Sequence, residues 1–197
     1  MIFSDTDIRI FYAFADVARN NNSFSDITLK SIAEKIGISR QAMYQSHFRS
    51  TDELLNSLYY YVDKEVKLTI TKILKGTVID KNLIEKIIHA VLPLIYEKKE
   101  LFQILYSDKV NSTWSSFMEM QYSNLLSHLF RGKVYKKVVV SSNIQARIII
   151  HEFIGLISIW MNQEKPVSPE MFEPIMIYAL NNSANSIVNR SLVNSMN

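Results

Sequence analysis

The sequence predicts an all-α protein of about nine helices, in which an N-terminal three-helix helix-turn-helix domain is joined by a long helix to a larger helical domain. Three observations predict it. The chain is 48% hydrophobic with only four Gly and four Pro in 197 residues, a composition that favours compact helices over strands or disorder. Apolar residues recur at helical spacing through most of the chain, and capping residues stand where those stripes begin. Residues 28–48, TLKSIAEKIGISRQAMYQSHF, bury their apolar positions only as two short helices crossing at a tight turn.

The first helix of that pair is capped by Thr28 and carries Leu29, Ile32, Ala33 and Ile36 on one stripe. Ala33 keeps the two helices close, and Gly37 supplies the left-handed turn that a residue with a Cβ resists. Ser39 caps the second helix. Ala42, Met43 and Ser46 are expected on its inward face, and Arg40, Gln41, Tyr44 and Gln45 on the outward one. That outward face has two readings. It is either a solvated polar surface or one that reads double-stranded DNA, since Arg and Gln pair with guanine and adenine edges in the major groove. A Tyr hydroxyl and a helix N-terminus hold phosphate.

The segment Phe24 to Leu55, about a sixth of the chain, resembles the N-terminal domain of the TetR/AcrR family of bacterial transcription regulators. The resemblance is carried by Phe24, Ile27-Thr28, Ile32-Ala33, Gly37-Ile38-Ser39, Tyr44, His47-Phe48 and the Ser50–Leu55 opening of a long helix. It implies DNA contacts from Thr28, Lys30, Ser39, Arg40, Gln41, Tyr44, Gln45, His47 and Thr51. Base contacts fall to Arg40, Gln41 and Gln45, and phosphate contacts to Thr28, Lys30, Tyr44, His47 and Thr51. Two departures stand out. Phe48 lies four residues after Tyr44 where the family places its aromatic three after, an insertion that rotates His47 away from its backbone position. Thr51 stands where the family favours a Lys at a phosphate.

Charge and composition bound the partners. The net charge of +3 is too small to announce a nucleic-acid protein. Residues 24–50 are mildly basic, with Lys30, Lys35, Arg40 and Arg49 against Asp26 and Glu34, whereas residues 151–197 are mildly acidic. The absence of Cys excludes disulfides, Cys-based zinc sites and thiol catalysis. The opening MIFSDTDIRI lacks the basic and apolar regions of a signal peptide. The longest uncharged apolar run, Phe153 to Gln163, is short of the roughly 20 residues of a membrane span. A cytoplasmic protein with no membrane partner is expected.

In chain order, a first helix from about Thr6 to Arg19 packs Ile8, Phe11, Ala15 and Ala18 under the hairpin, and Asn20–Asn22 are expected to end it in the left-handed conformation. Residues 1–49 form the DNA-binding domain, and residues 50–197 the ligand-binding and dimerisation domain. A capping box over Ser50–Glu53 starts a helix running to about Lys75 with Leu54, Leu58, Val62, Val66 and Ile70 on one side. Asp80 caps a fifth helix interrupted by Pro93. Its bend either makes room for a ligand or simply wraps the core.

A sixth helix is expected over 99–109. A seventh, from Ser112, presents Trp114, Phe117, Met118, Gln121, Tyr122, Leu125 and Leu129, a stripe that is either core or cavity lining. The basic, β-branched RGKVYKKVVVSS is either a loop with a strand-like end or a helix extension. An eighth helix from Ser142 is apolar nearly all round between 148 and 161, and so must be buried all round, which calls for a partner subunit. A ninth starts at Ser168-Pro169-Glu170, presents Phe172, Ile175, Met176, Ala179, Leu180 and Ile187, and holds Pro174; the tail after Leu192 is expected to fray.

The resemblance implies a homodimer through these last two helices, with Gly155 allowing close approach. It also implies a small apolar or aromatic ligand in the C-terminal domain. Candidate contacts are His89, Tyr96, Phe102, Tyr106, Trp114, Phe117, Met118, Tyr122 and Phe153. The polar His89, Glu119, His151 and Glu152 either face that ligand or pair among themselves. The four His residues are scattered, with no HExxH, phosphate loop or nucleophile elbow, so no enzyme, cofactor or metal is expected. The expected function is repression through a near-palindromic operator, relieved when the ligand changes the spacing of two recognition helices about 34 Å apart. The competing reading is an adaptor of the same fold that binds a protein partner in place of DNA.

Overall fold

A computed structural model describes residues 2–21, 23–76, 82–108, 110–127, 129, 134–135, 138–139 and 141–182. Ser4 caps α1 (Asp5–Asn20) through a reciprocal box: its Oγ accepts from Asp7 N at 3.2 Å, and its own N–H donates to Asp7 Oδ2 at 2.8 Å. Ile10, Phe11, Phe14, Ala15 and Ala18 bury one side of α1 beneath the hairpin, with Ile8 half-buried at its edge. The end of α1 differs from expectation. Asn21 is extended (φ −109°), not left-handed. The Asn20 and Asn21 amides instead donate back to the Asp16 and Val17 carbonyls at 2.9 and 2.8 Å, which satisfies the last turn without an αL residue. Asn22 lies outside the described residues.

The hairpin consists of α2 (Leu29–Ile36) and α3 (Arg40–Ala42), and α3 widens into a π turn over Met43–His47. That turn absorbs the extra residue after Tyr44. Phe48 N–H bonds to the Met43 carbonyl, five residues back, at 3.0 Å, and the Phe48 ring returns to the core 5.7 Å from Phe11. The following helix, α4 (Thr51–Gly76), buries Leu54, Leu58, Val62, Val66 and Ile70 as its spacing predicts. Its capping box is half as expected: Ser50 Oγ accepts from Glu53 N at 3.0 Å, but Glu53 Oε2 takes the Arg49 N–H at 2.7 Å.

Five further helices build the second body with α4: α5 (Leu83–Glu97), α6 (Lys99–Leu105), α7 (Asn111–Ser127), α8 (Ser142–Met161) and α9 (Pro169–Asn181). Asp80 and the tail lie outside the described residues. The sixth helix stops at Leu105, short of the expected 109, because Ser107 Oγ donates to the Ile104 carbonyl and closes the turn. Between α7 and α8, β1 (Val134–Tyr135) pairs antiparallel with β2 (Val138–Val139), so the strand-like alternative holds for four residues within an all-α architecture. A single apolar cluster runs from Ile10 in α1 to Met176 in α9. The two bodies also meet where Arg19 Nη2 on α1 donates to the Glu100 carbonyl on α6 at 3.3 Å.

Within one chain α8 is not buried all round. Ile150, Ile154, Ile157, Trp160 and Met161 pack inward, while Ile148 and Ile159 stand 52% and 66% exposed. On α9, Phe172 and Met176 are buried, whereas Met171 and Ile175 join the exposed side. The whole of α8, longer than the run read from the sequence, has the length and mean hydropathy (1.4) of a membrane-crossing helix. It nonetheless carries Arg147, His151 and Glu152, with Glu119 of α7 paired to the first two at 2.5 and 3.1 Å.

Candidate nucleic-acid interface and cavity

Each cap of the hairpin forms at the residue the sequence marks. Thr28 Oγ1 accepts from Ser31 N at 3.1 Å, and Ser39 Oγ accepts from Ala42 N at 3.0 Å. Between them Gly37 takes φ 73°, and Ile38 N–H closes onto the Ala33 carbonyl at 3.1 Å, a left-handed helix end. Ile32, Ala33 and Met43 are fully buried at the crossing. The inward set is smaller than expected: Ala42 is half-buried, and Ser46 is exposed because the π turn rotates the residues after Met43.

Thr28, Lys30, Ser39, Arg40, Gln41, Tyr44 and Gln45 are all exposed. The Arg40 guanidinium lies 5.4 Å from the centre of the Tyr44 ring, which stiffens both side chains and leaves the guanidinium edge free to donate. Lys30 stands 3.8 Å from Glu34, an exposed pair too weak to withhold it from a phosphate. Two residues of the set face elsewhere. His47 turns toward α1, its Nδ1 2.8 Å from Asp7 Oδ1. The Thr51 hydroxyl donates to the Ile27 carbonyl at 3.3 Å, so it holds α4 against the hairpin and keeps only acceptor capacity. Asp7 was not singled out from the sequence. Burial pushes its carboxyl up, but the Ser4 hydroxyl and N–H and the His47 ring outweigh burial and hold it below its ordinary value.

The second feature is a cavity of about 100 Å³ lined by α4 to α9. Of the residues considered for a ligand, Phe102, Tyr106, Trp114, Met118, Tyr122 and Phe153 line it. Three do not. His89 points outward, its side chain 79% exposed, and its Nδ1 is 3.2 Å from Glu173. Tyr96 stacks on Trp160 at 5.8 Å and donates to the Pro166 carbonyl at 3.4 Å. Phe117 wedges between Tyr59, Tyr60 and Trp114, with ring centres 5.2–5.6 Å apart. Pro93 lies on the exposed side of α5 while Leu92 and Ile95 face the cavity. Glu119, His151 and Glu152 lie outside it, the first two paired with each other. Asp63 is the lining residue the sequence concealed, because it sits inside the α4 stripe between Val62 and Val66.

An exposed polar helical hairpin at one end and an apolar cavity at the other define a two-body, all-α, helix-turn-helix architecture. No family model and no curated protein matches the chain. Among solved structures it is similar to the dihydroxyacetone kinase operon activator DhaS, at 16% identity over 90% of this chain and 93% of that one, with a TM-score of 0.51. It is also similar to a transcriptional regulator of the TetR/AcrR family from Thermobifida fusca YX-ER1 (17% identity, 91% and 98% covered, TM-score 0.49). A third is the TetR family repressor AlkX from Dietzia sp. strain DQ12-45-1b, implicated in biodegradation of n-alkanes (18% identity, 91% and 97% covered, TM-score 0.38). At these identities the likeness is one of fold. The all-α helical fold expected from the sequence is the fold observed.

Proposed function

We propose that this chain is a cytoplasmic, homodimeric, DNA-binding transcriptional regulator whose hold on a near-palindromic operator is released by a small apolar ligand. The observation that carries the reading is the two-sidedness of the α3 segment. Met43 anchors it against Ala33 and Ile32, while Arg40, Gln41, Tyr44 and Gln45 face outward together. Arg40, Gln41 and Gln45 read base edges, and Thr28, Lys30, Ser39 and Tyr44 hold phosphates. His47 acts by fixing the π turn against α1, and Thr51 by fixing the start of α4.

The dimer forms through α8 and α9. Their exposed Ile148, Ile159, Met171 and Ile175 flank Gly155, which has no side chain to keep a second copy away. Residues 1–49 then serve as the DNA-binding domain and 50–197 as the ligand-binding and dimerisation domain, with the Arg19–Glu100 bond among the links between them. A ligand in the cavity shifts α4 and α6, and through them the separation of the two α3 segments. The adaptor reading draws no support from an outward-facing set of base-reading groups. Whether operator occupancy lowers or raises transcription is a separate matter, and the dihydroxyacetone kinase operon activator DhaS has a similar fold.

Titration of fluorescent random duplex DNA with the full chain at about 50 and 200 mM salt tests the reading. Loss of about tenfold or more in affinity between the two indicates phosphate neutralisation. No binding at the lower salt sinks the DNA reading in favour of the adaptor.

A further inference from the structure

The cavity wall is hydrocarbon and aromatic apart from one carboxyl. Asp63 is 3% exposed and lines it, with Oδ1 accepting a hydrogen bond from the Tyr122 hydroxyl at 2.5 Å. Lys67, one turn further along α4, lowers the carboxyl's proton affinity, but its ammonium is already bonded to Gln121. Burial prevails over both Tyr122 and Lys67 and leaves the acid with a raised pKa. An acid at an apolar stripe position destabilises the fold where Val or Leu would stabilise it. Lining a cavity, such a group is a candidate ligand contact.

The surroundings narrow what enters. The rings of Tyr106, Trp114 and Tyr122 line the same cavity, with Tyr106 meeting Trp114 edge-on at 6.0 Å. Trp114 is fully buried, and its indole N–H lies against the Tyr106 hydroxyl, whose pKa burial raises and the indole N–H lowers. A negative ligand would meet Asp63 with repulsion, and a plain hydrocarbon would add no partner to the single hydroxyl that Tyr122 gives the buried carboxyl. A weakly hydrated cation answers the charge and is attracted to the ring faces as well.

We propose that Asp63 is the counter-charge for a compact, apolar organic cation bound in this cavity, with the rings of Tyr106, Trp114 and Tyr122 packed about its charged end. The proposal rests on the ligand-responsive reading above and specifies the ligand's class. At about 100 Å³ the space is smaller than the dry engineered cavity of about 150 Å³ that accepts benzene, so a molecule built on one ring is the largest it suits.

Calorimetric titration of the full chain with benzyltrimethylammonium, benzyl alcohol and phenylacetate tests it. The cation is expected to bind about tenfold or more tighter than the alcohol, with phenylacetate weakest. Asp63→Asn is expected to remove that preference while keeping affinity for benzyl alcohol, which reports an intact cavity. Glu119→Gln, a lost carboxylate outside the cavity, is expected to keep the preference. No binding of any probe at millimolar concentration overturns the proposal, as does equal affinity for cation and alcohol, or a preference that survives Asp63→Asn. Duplex DNA binding is measured on the same samples. Retained DNA binding without a cation preference removes the ligand proposal alone, whereas absent DNA binding removes the regulator reading and leaves the ligand result standing.

Discussion

His47 Nδ1 lies 2.8 Å from Asp7 Oδ1, so the last residue of the recognition segment is tied to the first turn of α1, 40 positions earlier in the chain. The bond fixes the direction of the widened turn, and it takes His47 out of the outward-facing set proposed to contact DNA. His47→Ala is expected to lower stability by about 1 kcal/mol while leaving the salt dependence of DNA binding unchanged. Denaturant melts and binding isotherms on the same variant separate the two; a flattened salt slope would return His47 to the phosphate contacts.

The same pair predicts an acid sensitivity. Asp7 is held below its ordinary value of 3.8, so its contribution is fully present above that value and is lost as pH falls through the depressed folded value. Asp7→Asn, which keeps the shape and removes the charge, is expected to flatten that part of the stability profile. It is also expected to lower neutral-pH stability by about 1 kcal/mol through the weakened cap. Melting temperatures from pH 3 to 7 check both.

Asp63 carries the opposite sign. Its pKa is raised by burial, so the folded state binds a proton more readily than the unfolded chain. Stability from this site is greatest below the ordinary carboxyl value and declines as pH rises through the raised one. Asp63→Asn is therefore expected to raise the melting temperature of the ligand-free protein at pH 7 by about 2–4 °C, the scale of about 1 kcal/mol for a chain of this size. A fall would mean that the charged form is better satisfied than its surroundings indicate.

Gly37 tests the hairpin. A Cβ at this position would meet nothing within 4 Å, so Gly37→Ala is opposed only by the backbone at φ 73°. The expected cost is about 1–2 kcal/mol, with DNA affinity unchanged once the protein is saturated in its folded state. Chemical melts give the first quantity and isotherms the second.

The dimer face is tested by Ile159→Glu. The exposed α8 side chain is expected to accept the charge without loss of secondary structure, while sedimentation velocity shows dissociation and DNA affinity drops about 100-fold or more as one half-site is lost. An unchanged sedimentation coefficient would place the dimer contacts elsewhere.

Much of this molecule is legible in its sequence because local signals and global packing coincide there. Thr28, Gly37 and Ser39 each dictate backbone geometry within a few residues, and the α4 stripe from Leu54 to Ile70 states its own buried side. The remaining features turn on groups distant in sequence. The π turn at Met43–His47 exists because Phe48 must reach Phe11, a requirement invisible in the local spacing. His89, Tyr96 and Phe117 have the chemistry of cavity residues, but neighbouring elements claim them: Glu173, Trp160 and Tyr59. Asp63 hides for the converse reason, since a lone acid in an apolar stripe reads as a helix edge until Tyr122 and Trp114 are seen across from it. The uniform apolarity of α8 reads as burial all round, and only the fold shows that Ile148 and Ile159 stay exposed within one chain.

Selection of bound sequences from a random duplex pool by the full chain tests the central claim most directly. The account predicts enrichment of two-fold symmetric sites whose half-sites lie about one helical turn or slightly more apart, lost when Arg40→Ala and Gln41→Ala are combined. Recovery of no preferred sequence, or of asymmetric sites indifferent to those two substitutions, would contradict it.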